Sequence, residues 1–182
     1  MPRYRSRVAC VALSAFGVVA IQGCRPNLVG GRSGAANLVD AAGRPVGTLT
    51  LRDASGGSVR IDGQLRGLPA GAHGIHFHAV GRCDAGVAFA SAGAHFNPAS
   101  RKHGLENVDG PHAGDLPNLS IASDGSGSFR TNTTRVTLGS DAASLIDADG
   151  SAVVVHAAQD DQRTDPAGNS GARIACGVIV AR

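Results

Sequence analysis

The sequence predicts an all-β domain, an antiparallel sandwich or barrel. Three observations carry that expectation. Glycine is abundant, at 26 of 182 residues, and clusters with Asp, Ser and Pro at regular intervals. Between those clusters, short segments alternate apolar and polar residues with a period of two. Long stretches with the 3.6-residue apolar repeat of a packed helix are missing. The length suffices for one core but not comfortably for two. Apolar residues make up 42% and charged residues 17%, which excludes a disordered polar chain and a membrane bundle.

Taken in order, the chain begins with an export signal over residues 1–23. Arg3, Arg5 and Arg7 precede an apolar stretch over residues 8–21. Its 14 residues fall short of the roughly 20 that a membrane-spanning helix needs. The stretch ends in Ile21-Gln22-Gly23-Cys24, which resembles a bacterial lipobox and implies lipidation of Cys24. Gln22 and Ile21 depart from the commonest residues of that signal, and an ordinary cleaved leader is the alternative. Residues 24–35 read as a flexible tether, rich in Gly, Arg, Ser and Asn, and residues 36–182 as the folded domain. The expected location is therefore outside the cytoplasm, periplasmic or in the cell envelope, with membrane contact only through the lipid. Without the three leading arginines, 14 basic residues face 14 acidic ones, so the charge balance gives no reason to expect nucleic-acid binding.

Strands are expected over residues 47–52, 58–65, 74–78, 127–136, 152–156 and 174–180. Turn chemistry separates them: Asp53-Ala-Ser-Gly-Gly, Leu68-Pro-Ala-Gly-Ala and Asp124-Gly-Ser-Gly. Residues 140–150 have room for one or two helical turns. Two long loops break the rhythm, over 79–118 and 157–172, and loops of this length are uncommon unless functional. Cys10 leaves with the signal, and Cys24 would be lipidated. Cys83 and Cys176 then remain, and outside the cytoplasm they should pair. Such a bond closes a loop of about 90 residues, worth ~4–5 kcal/mol in the chain-entropy treatment. Two buried free thiols are the alternative.

All seven histidines lie between positions 73 and 156. His76 and His78 alternate on a strand, so both imidazoles point to one face. His95, His103 and His112 fall in the first long loop, with Asp115 close behind, and His156 ends an apolar run. Imidazole-rich sets suit copper and zinc, and three His with one Asp suit tetrahedral zinc. Any one of these histidines could be structural, and His73, at a turn, is assigned that role. Six together, with a carboxylate, point to metal.

His76-Phe-His78, Gly93-Ala-His95-Phe-Asn-Pro, Lys102-His103-Gly, His112-Ala-Gly-Asp115-Leu, Val155-His156 and Gly171-Ala-Arg173-Ile-Ala-Cys176-Gly together resemble copper/zinc superoxide dismutase over residues 36–180. The resemblance implies a Greek-key β-sandwich of about eight strands. It assigns copper to His76, His78, His95 and His156, and zinc to His95, His103, His112 and Asp115, with His95 between the metals. It implies the Cys83–Cys176 disulfide and makes Asp160 a carboxylate behind one copper and one zinc histidine. It places Arg173 beside the copper as the guide for anionic superoxide. In the implied cycle one superoxide reduces Cu(II) and leaves as dioxygen. A second reoxidises Cu(I) and leaves as hydrogen peroxide, while His95 lets go of copper, takes a proton and returns it. Solvated roles are the alternatives for Asp160, Arg173 and the pair Arg101-Lys102. Two departures bear on assembly and leave a homodimer open: the loop between His156 and Arg173 is shorter than in the animal enzymes, and residues 84–94 carry an insertion. The competing reading is a secreted copper carrier without turnover. Soft Met and Cys ligands would suit that role, and the chain's one Met is its first residue.

Overall fold

The computed structural model describes residues 31–182. The signal, Cys24 and most of the tether lie outside these residues. Seven antiparallel strands form one curled sheet in the order β5-β8-β9-β1-β2-β3-β7. They are β1 (Ser33–Asp40), β2 (Pro45–Ala54), β3 (Ser58–Leu65), β5 (Ile75–His78), β7 (Gly127–Thr133), β8 (Ala152–His156) and β9 (Arg173–Ala181). A short ribbon of β4 (Gly71–His73) and β6 (Leu119–Ile121) closes over the same core. That core gathers Leu38, Leu49, Leu51, Ile61, Ile75, Phe77, Leu119, Phe129 and Val155, one face of each strand.

The alternating segments form strands at nearly the expected bounds. β1, β4 and β6 add to the expected list. β1 runs through Ser33, Gly34 and Ala35, residues with tether-like composition, because it is hydrogen-bonded on both sides, to β2 and to β9. A Cβ at Gly34 would lie 3.2 Å from the Val180 carbonyl, so small residues suit this crowded central position. β4 and β6 are three residues each, too short to show a period. Residues 140–150 form bends and turns rather than helix, held by Asp141, which accepts from the Ala143 N–H and the Thr137 hydroxyl. Among the described residues no helix is long and apolar enough to cross a membrane.

What positions the histidines is the two-sidedness of β5 and β8. Ile75, Phe77, Val153 and Val155 point into the core. The alternate residues point to the outer face of the sheet, where His76 pairs opposite Val154 and His78 opposite Ala152. Ala152 and Val154 pack there with Phe89, Ala92 and Cys176 in a second small cluster under the disulfide loop. β5 ends the sheet, and the first long loop uses its free edge: Phe77 N–H donates to Gly114 O, and Phe96 N–H to Phe77 O. Gly114 is required here, because a Cβ would collide with the Phe77 carbonyl. The loop is thereby folded back over the outer face, with bridges between His78 and His95 and between His76 and Asp115.

Candidate metal centre

His76, His78, His95 and His156 converge on the outer face, each offering a nitrogen within 4.8 Å of the others'. Two pairs of rings lie near parallel, His76 with His95 at a centroid separation of 4.0 Å and His78 with His156 at 5.7 Å, and the other pairs cross. The outward nitrogens of three rings are spoken for. His76 Nε2 lies 2.8 Å from Asp160 Oδ2, His78 Nδ1 lies 2.9 Å from Gly93 O, and His156 Nδ1 lies 3.1 Å from Gly171 O. Carbonyl and carboxylate oxygens only accept, so each of these nitrogens carries the proton and the other has its lone pair free. The inward nitrogens are His76 Nδ1, His78 Nε2, His95 Nε2 and His156 Nε2. All four are buried without a hydrogen-bond partner. Such groups are costly to leave unpaired, and four together pointing at one another fit a copper ion.

The second convergence shares His95. His95 Nδ1 and His103 Nδ1 each lie 3.0 Å from Asp115 Oδ1, and His112 Nδ1 lies 3.4 Å from both that oxygen and His95 Nδ1. Grouped by distance, His76 rather than His112 joins His95, His103 and Asp115. The hydrogen bonds separate the two: His76 Nε2 is taken by Asp160, whereas His112 Nδ1 faces the shared carboxylate. Asp115 Oδ2 accepts from the Gly104 and His112 N–H groups, which fixes the carboxylate plane. Three imidazoles and one carboxylate at this spacing fit zinc.

Electrostatics divides the cluster. Burial pushes the His76 pKa down to about 3, against the pull of Asp160. Burial also drives His78 well below the usual range and His156 to about 4, and it lowers His95. These rings are neutral near pH 7, the state in which a nitrogen can ligate a metal. His103 goes the other way: burial alone would lower it, but Asp115 and Asp160 raise it to about 9. Both carboxylates stay well below their ordinary range. Burial would raise them, and the surrounding donors, His103 foremost, outweigh it.

Asp160 is buried between the clusters rather than solvated. Its second oxygen lies 3.0 Å from His103 Nε2, so it joins one imidazole from each set. Two partners of Asp160 carry no signal in the sequence. Asn118 clamps its backbone from both sides at 2.8 Å, and Gly168 leaves space that a Cβ would take from Oδ1. Nor does residue type reveal the Gly93 and Gly171 carbonyls that orient His78 and His156. Arg173 donates to Phe89 O at 2.7 Å and Gly93 O at 2.6 Å and forms no ion pair among the described residues. It shares the Gly93 carbonyl with His78 Nδ1, which places it beside the first cluster. Lys102 pairs with Asp165 and Arg101 donates to Gly110 O, so this exposed pair staples the loops. His73 stands outside both clusters, with its ring nitrogens 2.8 Å from the His156 and Pro69 carbonyls. Cys83 and Cys176 are disulfide-bonded, 93 residues apart in sequence.

The profile of the family described as copper/zinc superoxide dismutase (SODC) matches residues 46–179. The superoxide dismutase [Cu-Zn] of Caulobacter vibrioides is 44% identical over 140 residues, 75% of this chain and 79% of that one. Superoxide dismutase [Cu-Zn] 2 of Aquifex aeolicus is 43% identical over 148 residues, 79% and 84% of the two chains. Among solved structures, a SOD-like protein from Bacillus subtilis is similar with a TM-score of 0.76 and 36% identity, covering 80% of this chain and 97% of that one.

Proposed function

The chain belongs to the copper/zinc superoxide dismutase family, and from that premise we infer that it dismutates superoxide at the paired histidine clusters. It is an oxidoreductase that uses copper and zinc. The copper donors are His76, His78, His95 and His156, and the zinc donors His95, His103, His112 and Asp115. The observation that carries this assignment is the set of four buried, unpartnered nitrogens that face one another on the outer face of β5 and β8.

When bound, copper would supply the one-electron exchange that turns one superoxide into dioxygen and a second into hydrogen peroxide, while zinc, with its filled d shell, would take no part in redox. The protein's residues do the rest. Arg173 keeps its charge at every working pH and draws the anion to the first cluster. His95 offers Nδ1 to the zinc set and Nε2 to the copper set. Its Nε2 is the ring nitrogen placed to hold one of the two protons that peroxide formation consumes, the other coming from water. Asp160 keeps the His76 and His103 rings from turning, so the two sets move as one body.

Superoxide decay measured on protein loaded with copper and zinc, with metal content taken on the same preparation, tests the reading. Fast decay in proportion to copper is expected. Full metal content without decay would instead describe a copper carrier.

Export and lipidation at Cys24 belong to the same proposal. Their support is the basic start, the short apolar run and the lipobox-like Ile21-Gln22-Gly23-Cys24, together with a formed disulfide, which suits an oxidising compartment. A homodimer rests on family membership alone, and sedimentation equilibrium tests it.

A further inference from the structure

Each imidazole of the two clusters turns one nitrogen inward, and the outward nitrogens have acceptors: Asp160 for His76 and His103, Gly93 O for His78, Gly171 O for His156. His95 faces a cluster with both. His112 is the exception. Its Nε2 makes no hydrogen bond, although its side chain is only 8% exposed. That nitrogen faces Asp165 Oδ1 at 3.7 Å. With Nδ1 assigned to zinc, Nε2 carries a proton, and the protein acceptor it faces is Asp165.

Asp165 is already held in place for that task. Its Oδ1 accepts the His103 N–H at 2.7 Å, and its Oδ2 lies 3.2 Å from Lys102 Nζ. One carboxylate thus spans two of the three zinc-set histidines, gripping His103 by its backbone while Asp160 grips the same residue by its ring. His95, His112 and Asp165 also line an open cleft of about 650 Å³, the solvent side of the second cluster. Without an acceptor there, the His112 ring would be restrained only from within.

We propose that Asp165 is a positioning residue of the zinc set, orienting His112 through Nε2 and His103 through its main chain. The proposal rests on the assignment of His112 to zinc made above. It makes the loop over residues 157–172 a two-carboxylate clamp: Asp160 ties the clusters together, and Asp165 closes the zinc set from outside.

The test uses the holoprotein with Asp165→Asn and, as a control on the same loop, Asp161→Asn. Asp161 caps the turn at Arg163 and Thr164 without touching a cluster. Zinc release into a chromophoric chelator is expected to be about tenfold faster in D165N, with copper content unchanged. The visible spectrum of protein carrying Co(II) in the zinc position is expected to shift, because ring orientation sets the ligand field. D161N should change neither. Wild-type release and spectrum in D165N overturn the proposal, and so do equal changes in D161N, which would reduce Asp165 to loop stapling. Should D165N not fold, wild-type protein with ¹⁵N-labelled histidine decides. The His112 Nε2 proton is expected as a slowly exchanging signal beside that of His103, and its absence while the His103 signal is present overturns the proposal. A wild-type protein that takes up no zinc at all would instead sink the assignment of His112.

Discussion

Arg173 is the side chain whose proposed role is most directly measured. Residues 24–182 carry 14 basic and 14 acidic side chains, so attraction of superoxide to this part of the chain has to be local. A focused field at a cleft raises on-rates by roughly 10–1,000-fold, a range that includes enzymes of this family. Arg173→Glu keeps the disulfide and both donor sets, so metal content should not change. The rate constant should fall by about one to two orders of magnitude, and its salt dependence should flatten or reverse as salt screens a repulsion. Pulse radiolysis across ionic strengths measures both, and a fully metallated mutant with the parent's rate and slope would remove Arg173 from the mechanism. Asp115→Ala tests the zinc set. Asp115 is its one carboxylate and contacts His95, His103 and His112. Zinc occupancy should therefore fall more than copper occupancy, and metal analysis showing the reverse would contradict the assignment. At this scale residue types were legible, because imidazoles and carboxylates announce themselves. Their acceptors were not: Gly93 O and Gly171 O are main-chain groups, and every residue has one.

Among the elements, β3 was legible because it alternates between turn residues, and β8 because a short run of valines after Gly150 marks a buried strand. β1 was not, since Gly and Ala carry little strand signal and its place is set by pairing with β2 and β9, far away in sequence. The loops were legible as loops, but their internal order was not. Gly168 illustrates this. Its φ is +60°, and a Cβ there would overlap Asp160 Oδ1 and crowd His103 Nε2. Gly168→Ala should therefore weaken retention of both metals, because Asp160 joins the two sets. Gly56 has a similar φ of +69° with nothing within 4 Å. Gly56→Ala should cost only the backbone term of about 1–2 kcal/mol and leave metal retention intact. Dialysis against a chelator followed by metal analysis compares the two variants, and equal retention would show that the loop gives way around a Cβ at Gly168.

For the molecule as a whole, metals and fold are linked. A metal held only by the native state at 1,000 times its dissociation constant stabilises that state by about 4 kcal/mol. Stripping both ions should lower the melting temperature, and returning zinc alone should restore part of it, measured by calorimetry. A melting temperature indifferent to metal would mean that the donors are assembled by packing alone. The anchor has its own test. Cys24→Ser should move the protein from the detergent phase to the aqueous phase with its activity intact. One acyl chain holds only marginally, so firm attachment of the parent implies more than one. Equal partition of parent and mutant would mean that Cys24 carries no lipid.

The use of β5's free edge by the first long loop reaches beyond the chemistry. An exposed strand edge is a template for another chain, and here the backbone around Phe96 and Gly114 caps it. That cap is tethered by the disulfide at the root of the loop and carries donors of both clusters. Ion loading and thiol oxidation would therefore guard against self-association. A chain stripped of metal and reduced should become sticky at β5, forming oligomers that light scattering detects and that vanish when the ions and the disulfide are restored.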